Sequence, residues 1–292
     1  MAKTAKSTAR ARAEQARRER ERLARKARRV RTAWWAIAAG PAFVVLLLLI
    51  KVAIPSEDNS PDTATLSPAV LAALTPPAST LDNAGRGQGV TFPTRADGQP
   101  PLTADGKPFV LYVGAEYCPF CASQRWGLVV ALNRFGTFSG LTGTFSGAAD
   151  VHPNTATLDF HGSTYTSEFL AFTGVEIADR DGNPLDTLTA EQQQIVGTYN
   201  APPWAQRSGS VPFVDFGNRF LQTGTSFGPE LLAGLSHEQI ASEITNNPTG
   251  QVGQAVLGAA NAFTAILCAL TGGEPGDVCT SPAAAAYEQE VS

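Results

Sequence analysis

The segment FVLYVGAEYCPFCASQRWGLVVAL, residues 109–132, decides how the rest of the chain is read. FVLYVGA (109–115) is a short apolar run, rich in β-branched and aromatic side chains. It follows the turn signal Asp105-Gly106-Lys107-Pro108 and predicts a buried strand. From Pro119 the period changes. Cys121, Leu128, Leu132 and Phe135 recur at offsets of 7, 11 and 14 and predict one face of a helix over 119–138. Where strand hands over to helix stands Cys118-Pro119-Phe120-Cys121. Pro119 suits the first helical position, which makes Cys118 the N-cap. There the free backbone N–H groups and the positive end of the helix dipole favour a thiolate. Cys121, three residues on, is within disulfide reach but points toward the apolar face. One exposed acidic thiol with one buried partner is a redox pair, so Cys118 and Cys121 are the candidate catalytic residues. Glu116 opposes thiolate formation if it points into the site. Arg125 reads as a solvated helix charge, with holding a thiolate or binding a substrate as the alternative. Trp126 reads as core or groove lining.

The chain has four cysteines, too few for a disulfide-dense scaffold of 292 residues. A zinc site would need two more ligands near the first pair. Cys268 and Cys279 have the wrong spacing, and His152, His161 and His237 are isolated, so neither a metal nor any other cofactor is expected. An inert structural disulfide is the stronger competitor for Cys118 and Cys121. A four-residue loop at a helix start, however, is a poor staple and a good exchange site. Cys268 and Cys279 enclose a Gly-Gly-Glu-Pro-Gly turn after the last helix and predict a structural disulfide. The alternative is a second redox pair relaying electrons to the first.

The formal net charge of −4 hides a division. Residues 1–31 hold 13 of the 22 basic side chains and carry +10, whereas the remainder carries −14. Between them lies AWWAIAAGPAFVVLLLLI (33–50), which contains no charge. Extended to Ile54, with Lys51 snorkelling outward, it spans about 33 Å as a helix and matches a bilayer core of about 30 Å. The basic residues ahead of it predict a cytoplasmic N-terminus and an extracytoplasmic body. Lys51-Val52-Ala53 is a poor cleavage site, so a signal anchor is expected rather than a removed signal peptide. The basic tail has no aromatic stacking residues and sits beside the span, which favours contact with anionic lipid over nucleic-acid binding.

The expected organisation is a basic cytoplasmic tail (1–32), a single transmembrane helix (33–54), a Pro-rich linker (55–101) and a body (102–292). Within the linker, Ser67 and Pro68 predict a short helix over 68–74, with Leu66 stapled against Leu71. In the body, strand signals fall at 155–160 and 167–177, and RDGNP (180–184) is a turn. Thr189 with Gln192 forms a capping box for a helix over 190–199, and Ser236 with Gln239 one for 237–246. VPFVDFG (211–217) and RFLQTG (219–224) predict a hairpin broken at Gly217-Asn218. An Ala-rich helix over 254–270 follows.

Strand–CxxC–helix, followed much later by Val211-Pro212 opening a hairpin, resembles the thioredoxin superfamily. The resemblance implies an α/β fold with a central mixed sheet flanked by helices, and makes 139–210 an insertion. It implies that Pro212 is a cis-proline facing the disulfide and that Val211 pairs with substrate backbone. Phe120, Val211 and Pro212 then shape a peptide groove. AEYCPFCASQRWGLVVALNRFGTFSGL (115–141), PFVDFGNRF (212–220) and the Cys268–Cys279 tail are similar to a closer group. It is a family of membrane-anchored, thioredoxin-like proteins of actinobacteria and archaea catalogued as domain of unknown function 929.

Together these readings predict an anchored extracytoplasmic thiol–disulfide oxidoreductase acting on protein thiols or disulfides. A membrane redox partner would renew it, in a direction the sequence leaves open. The alternative is a non-catalytic thioredoxin-like binding module of the cell envelope.

Overall fold

The computed structural model of the chain describes residues 64–292. The basic tail, the expected transmembrane helix and the linker up to residue 63 lie outside the described residues. In chain order the elements begin with β1 (Ala64–Thr65), α1 (Pro68–Ala73), α2 (Ala78–Ala84), β2 (Thr94–Arg95), β3 (Thr103–Ala104), β4 (Lys107–Gly114) and α3 (Pro119–Leu132). Then come β5 (Gly136–Ser139), β6 (Thr142–Phe145), β7 (Ala156–Asp159), β8 (Thr164–Ser167), β9 (Ala171–Glu176) and α4 (Ala190–Tyr199). The chain continues through β10 (Phe213–Phe216), β11 (Phe220–Thr223), α5 (His237–Asn246) and α6 (Gln251–Leu270) and finishes in three short helical turns.

The apolar run at the heart of the sequence is the central strand. β4 pairs antiparallel with β10, Val113 opposite Phe213 and Val110 opposite Phe216, and parallel with β9 from Phe109–Ala171 to Gly114–Glu176. β11 extends the sheet beyond β10, and β2 extends it beyond β11. The Asp105-Gly106 turn, with both residues at positive φ, returns β3 onto the start of β4.

Side chains alternate across this sheet, as the two-residue period demands. Val110, Tyr112, Val214, Phe216 and Phe220 enter the main core with α3 and α6. Leu111, Val113, Phe213 and Leu221 face the other way and pack with Ala96, Ile195 and Tyr199. The result is a mixed sheet with α3 and α6 on one face and α4 on the other. β1, β6 and β7 form a smaller antiparallel sheet, and β5 pairs with β8.

α3 is buried on all sides except at Phe120, so it is a core helix rather than an amphipathic surface one. Gly127 makes this possible, because a Cβ there would lie 2.9 Å from the Cβ of Ala259 on α6. α6 is long and apolar enough to cross a membrane by length and composition alone, yet nearly all of it is enclosed by the surrounding elements.

Three expectations need correction. The Pro-rich stretch read as a linker over 55–101 is folded from residue 64 onward. Its prolines start helices there, and Leu66, Val70, Leu74, Leu81 and Ala84 join the main core. Fully burying a leucine or valine stabilises by about 1.5–3 kcal/mol, which is ample to hold such short helices in place. The staple to Leu71 does not form: Leu66 is buried, whereas Leu71 is 49% exposed and Val70 turns inward instead. Nor is 139–210 a wholly separate insertion, since β9 is a full partner of β4 and β7 is buried against α3.

Elsewhere the boundaries shift. α3 stops at Leu132 rather than 138, and the strand expected from 167 begins at Ala171. In the second case the Ser167 hydroxyl accepts from the N–H groups of Phe169 and Leu170 and bends the chain first. Both capping boxes form at the residues expected.

Cys268, at the end of α6, is disulfide-bonded to Cys279. Closing a loop of twelve residues constrains the unfolded chain by about 3 kcal/mol on the loop-entropy account. A Cys268→Ala/Cys279→Ala variant should therefore lose about that much unfolding free energy in a denaturant titration under oxidising conditions. Reducing agent should lower the parent toward the variant.

Candidate active site

Cys118 is the N-cap of α3, with extended backbone geometry (φ −82°, ψ 117°) and Pro119 in the first turn. Its Sγ accepts the Cys121 backbone N–H at 3.3 Å and lies 3.9 Å from the Val211 carbonyl oxygen. Both thiols are free. Cys121 is fully buried as expected, whereas Cys118, read as the exposed thiol, is only 6% exposed because Tyr117 and Val211 pack over the start of the helix. Ala115 and Ala178, with the partly buried Tyr117, Ile177 and Val211, enclose them in an apolar cluster.

Position separates their acidities. A hydrogen bond from the Cys121 thiol holds the Cys118 thiol below the ordinary range against the opposing effect of burial. The backbone N–H groups of Cys121 and Phe120 and the Arg125 guanidinium add to this. Burial pushes Cys121 well up, and its hydrogen bond to Cys118 adds to that. Helix start and core thus produce one acidic and one resistant thiol.

The Val211–Pro212 bond is cis, as are Pro202–Pro203 and Glu274–Pro275. Pro212 is buried, and its carbonyl accepts from Gly224 N–H at the open end of the β10–β11 hairpin. The structure therefore brings Cys118, Cys121 and Val211 together, with Pro212 next in the chain. Phe120 is 41% exposed and is not part of the apolar cluster around the thiols. Cys268 and Cys279 belong to the packing around the main core.

Behind the thiols lies a charge network that the sequence reading did not assemble. Arg125 is fully buried. Its Nε and Nη2 donate to the two carboxylate oxygens of Glu176 at 2.8 and 2.6 Å, and Nη2 also donates to the Ala115 carbonyl at 2.9 Å. Burial raises the Glu176 carboxyl, with Arg125 opposing it. Burial, then the nearby Asp159 and Glu176 carboxylates, push Glu116 up to about 7. Burial likewise raises Asp159, whose Oδ1 accepts the His161 N–H at 2.8 Å. Below neutral pH Glu116 is therefore largely protonated and adds little negative charge beside the start of α3, and near pH 7 it is about half ionised.

The reading of Arg125 as a solvated charge is corrected by this burial. The signal was available: Arg125 is four residues after Cys121 and so shares its inward face. Asp159 and Glu176 gave no comparable signal, because β7 is buried on both faces and β9 shows no alternation of burial, so a period-two reading assigns neither. Trp126 is core, its indole N–H donating to the Ala156 carbonyl.

A family model described as Domain of unknown function (DUF929) matches residues 97–269. The chain is a member of the DUF929 family. The match takes in the CPFC turn, both central neighbours of β4 and the charge network. It ends at Ala269, so the second cysteine of the disulfide falls beyond it. No curated protein and no solved structure matches the chain.

A cleft of about 610 Å³ lies at the opposite end of β4 from the CPFC turn. It is lined by groups such as Thr103, Lys107, Tyr165, Phe172 and Gln192, and no cysteine of this DUF929 protein reaches it. The two thiols sit instead in the apolar cluster with Ala115, Ala178, Tyr117, Ile177 and Val211.

Proposed function

We propose that this DUF929 protein is a thioredoxin-like thiol–disulfide oxidoreductase, anchored in the membrane with its body outside the cytoplasm, acting on protein thiols and disulfides through Cys118 and Cys121. The observation that carries the reading is the pairing of an acidic thiol at a helix N-cap, 3.9 Å from the Val211 carbonyl oxygen, with a fully buried thiol one turn later. The strand–CPFC–helix order around β4 and the cis Val211–Pro212 bond support the thioredoxin-like assignment of the mixed sheet.

In the reducing direction, the Cys118 thiolate attacks one sulfur of a substrate disulfide. The Cys118–substrate bond forms as the substrate S–S bond breaks, and the departing thiolate takes a proton from water. Cys121, once deprotonated, attacks the Cys118 sulfur and releases the second substrate thiolate. Two electrons pass to the substrate, and the enzyme is left with a Cys118–Cys121 disulfide. Oxidation of substrate thiols runs the same steps backwards. A membrane redox partner would then reset the pair.

Cys121→Ala removes the resolving thiol, so mixed disulfides through Cys118 should accumulate in cells and resolve as reductant-sensitive bands on non-reducing gels. The Cys118→Ala/Cys121→Ala protein should trap none. Equal capture by both variants would refute the catalytic assignment and favour a non-catalytic binding module.

A further inference from the structure

Three large apolar side chains stand exposed among the described residues, and two of them flank the CPFC turn. Phe120 is inside the motif. Val151, 72% exposed, is at the tip of the loop between β6 and β7. This loop is pinned at several points. Gly147 N–H donates to the Tyr117 carbonyl at 2.8 Å, directly before Cys118. The Ser146 hydroxyl donates to the His152 carbonyl and accepts the Thr155 N–H, each at 2.9 Å. Arg180 donates to Asn154 Oδ1 at 2.7 Å, tying the loop to the turn after β9. His152, adjacent to Val151, meets the Phe120 ring edge-to-face at 6.4 Å.

These ties hold the loop backbone on either side of Val151, whose exposed aliphatic side chain contributes no core packing there. The loop's order is established before any partner arrives, which lowers the entropic cost of binding. We infer that Val151, with His152 and Phe120, forms a selectivity platform for polypeptide substrates whose reacting cysteine has an apolar neighbour. The inference rests on the thiol–disulfide reading and names the substrate class of that same site. A chain held with its sulfur at Cys118 and its backbone along Val211 would carry the adjoining side chain toward Phe120 and the 147–154 loop. An apolar neighbour is removed from water there, whereas a polar one is desolvated without a partner.

The test uses the reduced full-length chain in detergent and two nine-residue peptides. Each carries one cysteine as its mixed disulfide with glutathione, flanked on both sides by leucine in one peptide and by serine in the other. The leucine peptide should react about tenfold faster, as expected for partial burial of one aliphatic side chain. Val151→Asp and Val151→Ser should bring the ratio of the two rates toward one. An unfolded chain would react with both peptides without preference, so each variant is first shown to keep the parent's denaturant midpoint. A ratio near one in the parent, or a tenfold ratio kept in both variants, would overturn the platform while leaving the redox reading standing. If neither peptide nor the disulfide of 2-mercaptoethanol reacts at Cys118, the redox reading fails and the platform with it.

Discussion

Replacing Arg125 by methionine should cost the protein about 3–5 kcal/mol of unfolding free energy, the penalty expected when one partner of a fully buried ion pair is removed. Arg125 and Glu176 are both wholly enclosed and share two hydrogen bonds. Without the guanidinium, Glu176 must be buried ionised and alone or take up a proton, and the Ala115 carbonyl loses its donor. Denaturant titration of the full-length chain measures the loss. The Arg125→Met/Glu176→Leu double variant should recover much of it, because removing both charges removes the unpaired one. A loss below about 0.5 kcal/mol for Arg125→Met would instead be the signature of a surface charge. A second readout comes from the site itself. Arg125 is one of the groups lowering the Cys118 thiol, so Arg125→Met should also shift that thiol upward.

Arg125 marks the boundary of what the sequence made legible. The central strand, the CPFC turn, both capped helices and the β10–β11 hairpin were readable because local chemistry sets them: an apolar run, an N-cap, a capping box, a turn at Gly217-Asn218. The pairing of β9 with β4 was not, since a parallel neighbour is chosen by tertiary packing and leaves no turn signal. The folding of 64–101 was hidden for a different reason. Proline marks both spacers and first helical turns, and only burial of Leu66, Val70, Leu74 and Leu81 distinguishes them. In the site, the two cysteines were legible from spacing alone. Glu116, Asp159 and Glu176 come from three separate strands or strand ends, and only the folded sheet gathers them around Arg125.

Cys118 should be alkylated by iodoacetamide at neutral pH about a hundredfold or more faster than Cys121, because the rate follows both thiolate population and access. Each factor points the same way. Cys118 keeps 6% exposure with its thiol held low, and Cys121 is fully buried with its thiol pushed well up. Mass spectrometry of the reduced full-length chain after timed alkylation gives both rates. The sign of the pH dependence follows from the direction of each shift. Cys118 should reach half its maximal rate at a lower pH than an unperturbed thiol, whereas Cys121 should remain unreactive across the same range. The Cys121 thiol is the largest single cause of the Cys118 shift, ahead of the backbone N–H groups and Arg125. Cys121→Ala should therefore move the Cys118 profile upward, part of the way to the unperturbed position, with the helix N-terminus and Arg125 holding the remainder. An unchanged profile would assign the whole effect to the helix start, and comparable alkylation rates would contradict the division between an attacking and a resolving sulfur. The division also fixes an order of events: the sulfur that meets a substrate is the one whose charge the helix start tolerates. Under the proposed exchange chemistry, its partner would act after the mixed disulfide had removed the Cys118 thiolate, leaving burial as the main cause that holds the Cys121 thiol up.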